Sequence, residues 1–194
     1  MGQEFELKFA ARETQQEAIF AAYGPWQETE METTYYDTAS RSLSQGHITL
    51  RRRMENGSSI CTVKTPGTDG ARGEWECQCP DIRSALPRLC SLGAPEFVAE
   101  LAREELQCVC GARFTRRSCT IELDDAVVEL ALDRGVLLGG GRELPLCEVE
   151  AELKEGNRDT VIRFAATLAA QYGLQPESRS KFRRAAALAE GETL

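Results

Sequence analysis

The chain has 194 residues, 42% of them hydrophobic, and a formal net charge of −8 at pH 7. This length suits one domain, residues 1–194, with a core of its own, and the negative charge argues against a nucleic-acid backbone as partner. No apolar run is long enough to span a membrane as a helix, and no signal-peptide pattern precedes "MGQEFELKF", so a cytoplasmic location is expected, with the eight cysteines as reduced thiols.

The first predicted strand covers residues 3–10. In its core, "EFELKF", alternation puts Glu4, Glu6 and Lys8 on one face and Phe5, Leu7 and Phe9 on the other. "TQQEAIFAAY" follows with apolar residues at helical spacing. Strands are then predicted near 30–38, 47–54, 58–65 and 72–79, separated by the turn signals "ENGSS" and "TPGTDG". His47, the single histidine, follows a glycine at a strand start and reads as a surface residue. A helix is expected from Asp81, limited or kinked by Pro87.

Strands at 106–123, 126–134 and 145–154 follow, with "GGG" at 139–141 as a hairpin turn; no Lys-Ser/Thr follows it, as a phosphate loop requires. The clearest helix is 157–173, capped by Asn157, striped by Val161, Phe164, Ala165, Leu168 and Tyr172, and stopped at Gly173. A last helix begins near Ser180. Cys77/Cys79 and Cys108/Cys110 lack the two-residue gap of a zinc knuckle, so no zinc site is expected. Trp26, Trp75, Tyr35 and Tyr36 read as packing residues.

The alternation of the first strand recurs in the others. Arg51 and Arg53 share a face that excludes Arg52, and Lys64 pairs with Thr62. Arg72, Glu74 and Glu76 share a face opposite Trp75; Glu129 shares one with Asp133. Glu148, Glu150, Glu152 and Lys154 line one side of "CEVEAELK". Three glutamates in a row repel one another unless cations compensate them. Two architectures fit: a flat sheet with its charged face in water, or a barrel with a charged interior and helices outside. Pattern alone leaves both open.

The ordered blocks "ExExK" at Glu4, Glu6 and Lys8, "YYDT" (35–38), "LRRR" (50–53), "TVK" (62–64), "RGEWE" (72–76), "FTRR" (114–117), "ELALDRG" (129–135), "CEVEAEL" (147–153) and "SRSKFRRA" (178–185) span nearly the whole chain. Together they resemble the CYTH superfamily, the triphosphate tunnel metalloenzymes, and within it the bacterial inorganic triphosphatases. The histidine-phenylalanine element that precedes ExExK in class IV adenylate cyclases is missing. The resemblance implies an α+β fold: a closed antiparallel β-barrel, a triphosphate tunnel, with the charges inside and helices packed outside.

It also implies metal-dependent hydrolysis of inorganic triphosphate to pyrophosphate and phosphate, with Mg²⁺ or Mn²⁺ on oxygen ligands. Metal ligands would be Glu4, Glu6, Glu148, Glu150 and Glu152, with Asp133 as a further candidate. Phosphate oxygens would meet Lys8, Arg51, Arg53, Lys64, Arg72, Arg116 and Lys181. Arg116 is preferred to Arg117 because adjacent strand residues point opposite ways. Glu4, Glu6, Lys8 and Glu150 are the expected catalytic core, while Glu74, Glu76 and Glu129 would hold the arginines in place. A thiamine triphosphatase, a nucleoside triphosphatase, an adenylate cyclase and a non-catalytic polyphosphate- or nucleotide-binding module are the alternatives. A structural protein with a solvated charged sheet face would show no metal dependence. The expected partner is inorganic triphosphate or another triphosphate compound, bound by a monomer or homodimer with no membrane attachment.

Overall fold

The computed structural model describes residues 2–67, 72–103 and 105–192, without the side chains of residues 2–4 and 102. The turn expected at "TPGTDG" falls partly outside them, and so does the side chain of Glu4. The described elements are β1 (Gly2–Glu4), β2 (Glu6–Ala10), α1 (Glu13–Ala22), β3 (Gln27–Thr38), α2 (Ser42–Gln45), β4 (Thr49–Glu55), β5 (Ser58–Pro66) and β6 (Arg72–Gln78). They continue as α3 (Ile82–Ser91), α4 (Phe97–Glu100), β7 (Leu106–Leu123), β8 (Ala126–Gly139), β9 (Arg142–Gly156), α5 (Arg158–Tyr172), β10 (Gln175–Pro176) and α6 (Lys181–Glu190). Among the described residues no helix is long and apolar enough to cross a membrane.

The strands form one antiparallel sheet in the order β1-β6-β5-β4-β3-β7-β8-β9-β2-β10. What the alternation presents as a single first strand divides at Phe5. Before it, Glu4 lies opposite Arg72 of β6; after it, Lys8 lies opposite Glu150 of β9. The two halves of one segment therefore hold both ends of the sheet, and the sheet closes into a barrel.

Closure puts the charged faces inside. Phe5 and Phe9, with Leu130, Leu132, Val149 and Ala151, pack outside the barrel against Ile19 of α1 and Val161, Ala165 and Leu168 of α5. Leu50, Cys61 and Val63 pack against Ile82, Leu86 and Leu89 of α3. Each of these larger side chains contributes roughly 1.5–3 kcal/mol on burial. The Asp81 carboxylate caps α3 by accepting from the Ser84 N–H at 2.9 Å. The helix runs through Pro87 to Ser91, because buried Leu86 and Leu89 offset the single backbone bond that proline removes.

A third cluster lies on the inner face. Ala112, Phe114, Leu137 and Leu146 have the same strand parity as Arg116, Asp133 and Glu148, and Phe182 and Ala185 of α6 pack on them. α1, α3 and α5 cover the outside of the barrel; α6 closes one end from within. Gly139 permits this approach, since a Cβ there would come within 2.3 Å of the Ala185 carbonyl oxygen. Covering Leu137 and Leu146 also explains why β8 and β9 run to the hairpin at Gly140–Gly141, beyond their predicted limits.

Candidate functional site

The barrel encloses a cavity of about 740 Å³. β4, β5 and β6 supply its basic wall: Arg51, Arg53, Lys64 and Arg72, with Glu55, Glu74 and Glu76 among them. β2, β8 and β9 supply the facing wall: Glu6, Lys8, Glu129, Glu150, Glu152 and Lys154. Arg52 points out, where its Nη1 donates to the Pro80 carbonyl at 3.3 Å. Arg117 also turns away, onto Glu28 at 2.9 Å, whereas Arg116 faces inward.

On the basic wall, Glu74 lies 3.5 Å from Arg51 and 3.4 Å from Lys64, and Arg53 pairs with Glu55. Burial lowers the Arg53 pKa from its ordinary value, and the neighbouring Arg51 charge adds to the effect. Among the described residues its four cations outnumber its three carboxylates, and Arg51 and Arg53 stand on one face, which suits the wall to receiving anions.

The acidic wall has two tiers. In the inner tier, Asp133 and Glu148 are cross-strand partners, with Glu150 two residues on; one oxygen from each lies within 4.8 Å of the others. Three cations hold this group. Arg116 makes a forked pair with Asp133, both bonds at 2.7 Å, and reaches Glu150. The Lys181 ammonium lies 2.8 Å from Asp133 and 2.6 Å from both Glu148 and Glu150; Arg184 pairs with Glu148. Burial pushes Glu148 up from the ordinary carboxylate range, and Lys181 and Arg184 offset it only in part. Burial acts the same way on Glu150, but Lys181 and Arg116 outweigh it and hold the carboxyl well below that range. Burial lowers Lys181 and Arg116, and their acidic partners more than reverse this, so both remain charged.

In the outer tier, Glu152 lies between Glu6 of β2 and Glu129 of β8 in register. Glu6 pairs with Lys8 at 3.1 Å, and Glu152 with Lys154 at 3.0 Å. Glu129 makes no ion pair among the described residues. These carboxylates keep access to water.

Sequence reasoning placed the inner carboxylates correctly on one face but missed Arg184. The available signal was spacing: Lys181 and Arg184 are three residues apart on a helix and so share a side. It also missed Gln16 of α1, whose Nε2 donates to the Asp133 and Glu148 carbonyls at 3.0 and 2.7 Å and fixes β8 to β9 at the inner tier. Asp37 of "YYDT" is structural: it is buried and accepts from the N–H groups of Thr38, Leu43 and Ser44, which shapes the turn into α2.

The chain that builds this charged lumen matches a family model, the CYTH domain, over residues 2–186. The chain belongs to the CYTH domain family. Among curated relatives, the inorganic triphosphatase of Haemophilus influenzae is 30% identical over 153 residues, 78% of this chain and 44% of that protein. The chain thus spans less than half the length of that relative. A solved protein from Hippeastrum, described as a putative adenylyl cyclase with a dominant triphosphatase activity, has a TM-score of 0.64 at 16% identity, covering 100% of this chain and 98% of that one. A protein from Pyrococcus horikoshii OT3 has a TM-score of 0.64 at 21% identity, covering 97% and 99%. These two likenesses confirm the CYTH tunnel fold.

Proposed function

We propose that the chain hydrolyses a phosphoanhydride bond of inorganic triphosphate, releasing pyrophosphate and orthophosphate, with a divalent metal ion bound to its outer carboxylates. One observation carries the reading: a basic wall and an open acidic tier face each other across a single enclosed cavity. The Haemophilus relative's name supports the substrate class.

Mg²⁺ and Mn²⁺ prefer oxygen ligands and keep some of their water. Glu6 and Glu152 fit that requirement, because their side chains keep contact with water, 21% and 24% exposed, whereas those of the inner tier are nearly or fully buried. The inner tier fits it less well, because Arg116, Lys181 and Arg184 already occupy the oxygens of Asp133, Glu148 and Glu150. When bound, the metal would neutralise charge on the phosphate chain and align it for attack.

The chain's own residues do the rest. Lys8, Arg51, Arg53, Lys64 and Arg72 contact phosphate oxygens and stabilise the charge that spreads over them during transfer. Glu74 keeps Arg51 and Lys64 extended into the cavity. Arg116 and Lys181 fix the inner carboxylates, and thereby the back of the cavity, rather than gripping the chain. Glu129 is the carboxylate left to orient the attacking water.

A second reading, hydrolysis of an organic triphosphate such as a nucleotide, draws on Trp75 and the half-exposed Leu92, which border the same cavity. Phosphate release from tripolyphosphate, ATP, thiamine triphosphate and pyrophosphate, measured with Mg²⁺, with Mn²⁺ and with EDTA, tests both. The expected result is metal-dependent release with the highest kcat/KM on tripolyphosphate. Release that persists in EDTA, or none from any triphosphate, overturns the proposal; a ratio favouring ATP selects the second reading.

A further inference from the structure

Among the described residues, the barrel wall has a gap. Glu4 is the last residue of the N-terminal segment to pair with β6, and β10 supports β2 only at Phe9 and Ala10. The Glu177 N–H adds one bond, to the Lys8 carbonyl at 2.9 Å. Among the described residues no strand pairs with that edge of β2 at Glu6 and Leu7. A second cavity of about 280 Å³ opens there, bordered by Lys8, Arg72, Pro176, Glu177 and Ser178. It shares Glu6, Lys8 and Arg72 with the main cavity, so the two adjoin.

The charges at this gap suit a small anion. Glu6 is matched by Lys8, and Glu177 by a forked pair with Arg179 at 3.0 and 2.9 Å. Arg72 makes no ion pair among the described residues, which do not include the side chain of Glu4 opposite it in register, and it borders both cavities. Ser178 adds an exposed hydroxyl. Liquid water takes about 30 Å³ per molecule, so the cavity holds an orthophosphate together with several waters.

Position supplies the reason for such an opening. Residues 176–178 lie just before Ser180, Lys181 and Phe182, which border the main cavity where α6 closes it; Phe182 packs on Tyr35 with ring centroids 5.2 Å apart. Whichever anhydride bond breaks, one fragment lies between the other and α6. It leaves only after the outer fragment has gone, or else through the wall. We propose that the side cavity at Arg72 and Ser178 binds orthophosphate and is its exit from the tunnel. This rests on the triphosphatase reading for the word exit, but not for the anion site itself.

The test narrows the gap from its exposed rim with Ser178→Trp, and independently with Pro176→Phe, each compared with wild type for melting temperature. Expected in both are a kcat lower by about tenfold, as when product release becomes limiting, and an initial burst of one phosphate per enzyme at the wild-type rate. Orthophosphate alone, titrated by calorimetry without metal, should bind wild type and bind the Ser178→Trp and Arg72→Ala variants several-fold more weakly. A folded rim variant that turns over at the wild-type rate, or is slowed without a burst, overturns the exit. Orthophosphate binding that Ser178→Trp and Arg72→Ala leave unchanged overturns the site. If wild type releases no phosphate from tripolyphosphate, it is the hydrolase reading that falls, and the calorimetry still decides the anion site.

Discussion

The two carboxylate tiers of β8 and β9 come as close as one inward-facing position, from Glu150 to Glu152, yet their surroundings differ in kind. Asp133 and Glu148 are fully buried, and with Glu150 they meet three cations, Arg116, Lys181 and Arg184, through direct contacts. Glu6 and Glu152 lie partly in water, and each has a lysine of its own strand as an ion-pair partner. In a low-dielectric interior a carboxylate must be neutralised by the protein itself, and once neutralised it has little left to offer a ligand. At the open end, water does part of that work, and a ligand can displace it. The same residue type on the same strands therefore serves architecture at one depth and chemistry at the next.

The largest effect should come from breaking the inner tier. Asp133→Ala takes the forked partner from Arg116 and one of three carboxylates from Lys181, and the loss of stability in urea denaturation should be roughly 3–5 kcal/mol, the scale for removing one partner of a buried pair. A loss below about 1 kcal/mol would mean that the two tiers do not differ in this way. Next, Glu6→Gln and Glu152→Gln should lower metal-dependent turnover by about a hundredfold, the scale for removing one preorganised electrostatic group, with the melting temperature unchanged. If Glu148→Gln instead gives a stable enzyme that has lost metal affinity, the roles of the tiers are reversed.

A smaller effect tests the opposite wall. Arg51→Ala and Arg53→Ala should each raise the KM for tripolyphosphate about tenfold or more, because a charge-assisted hydrogen bond contributes about 1.5–3 kcal/mol. Arg52→Ala should leave KM within about twofold, since its guanidinium faces Pro80 outside the barrel. Equal effects at all three positions would refute the inward and outward assignment.

The smallest effect concerns the surface pair beside the side cavity. Hydrogen bonds from the Arg179 side chain pull the Glu177 pKa from its ordinary 4.5 down to about 2. The folded state thus holds fewer protons than the unfolded state between those values. The pair's contribution is complete above about pH 4.5 and disappears as the pH falls toward 2. Arg179 is partly exposed, so the term should stay under about 1 kcal/mol. Comparing wild type with Arg179→Ala by chemical denaturation at pH 6 and pH 3 should show the difference shrinking at the lower pH.

Much of this was readable before any coordinates. Two-residue alternation separated Arg51 and Arg53 from Arg52, set Trp75 against Glu74 and put the glutamates of β9 on one side, because strand geometry forces neighbours to opposite faces. The helix ends at Asp81, Asn157 and Gly173 were also local, fixed by caps a few residues long. Alternation was silent on whether the charged face met water or a lumen; that required the family resemblance.

The chain by itself thus determined which side chains share a face and where the segments stop, since both depend on contacts within a few residues. Tertiary structure alone decided what each charge meets. Lys181 reaches Glu150 across 31 positions of sequence, Arg184 reaches Glu148 across 36, and the N-terminal segment changes partners at Phe5 to close the barrel. Those distances are set by how the sheet curls and where α6 lies. A glutamate's place in an internal ion pair or at an open ligand site follows from its depth in the tunnel, a property that neighbouring residues in the sequence do not encode.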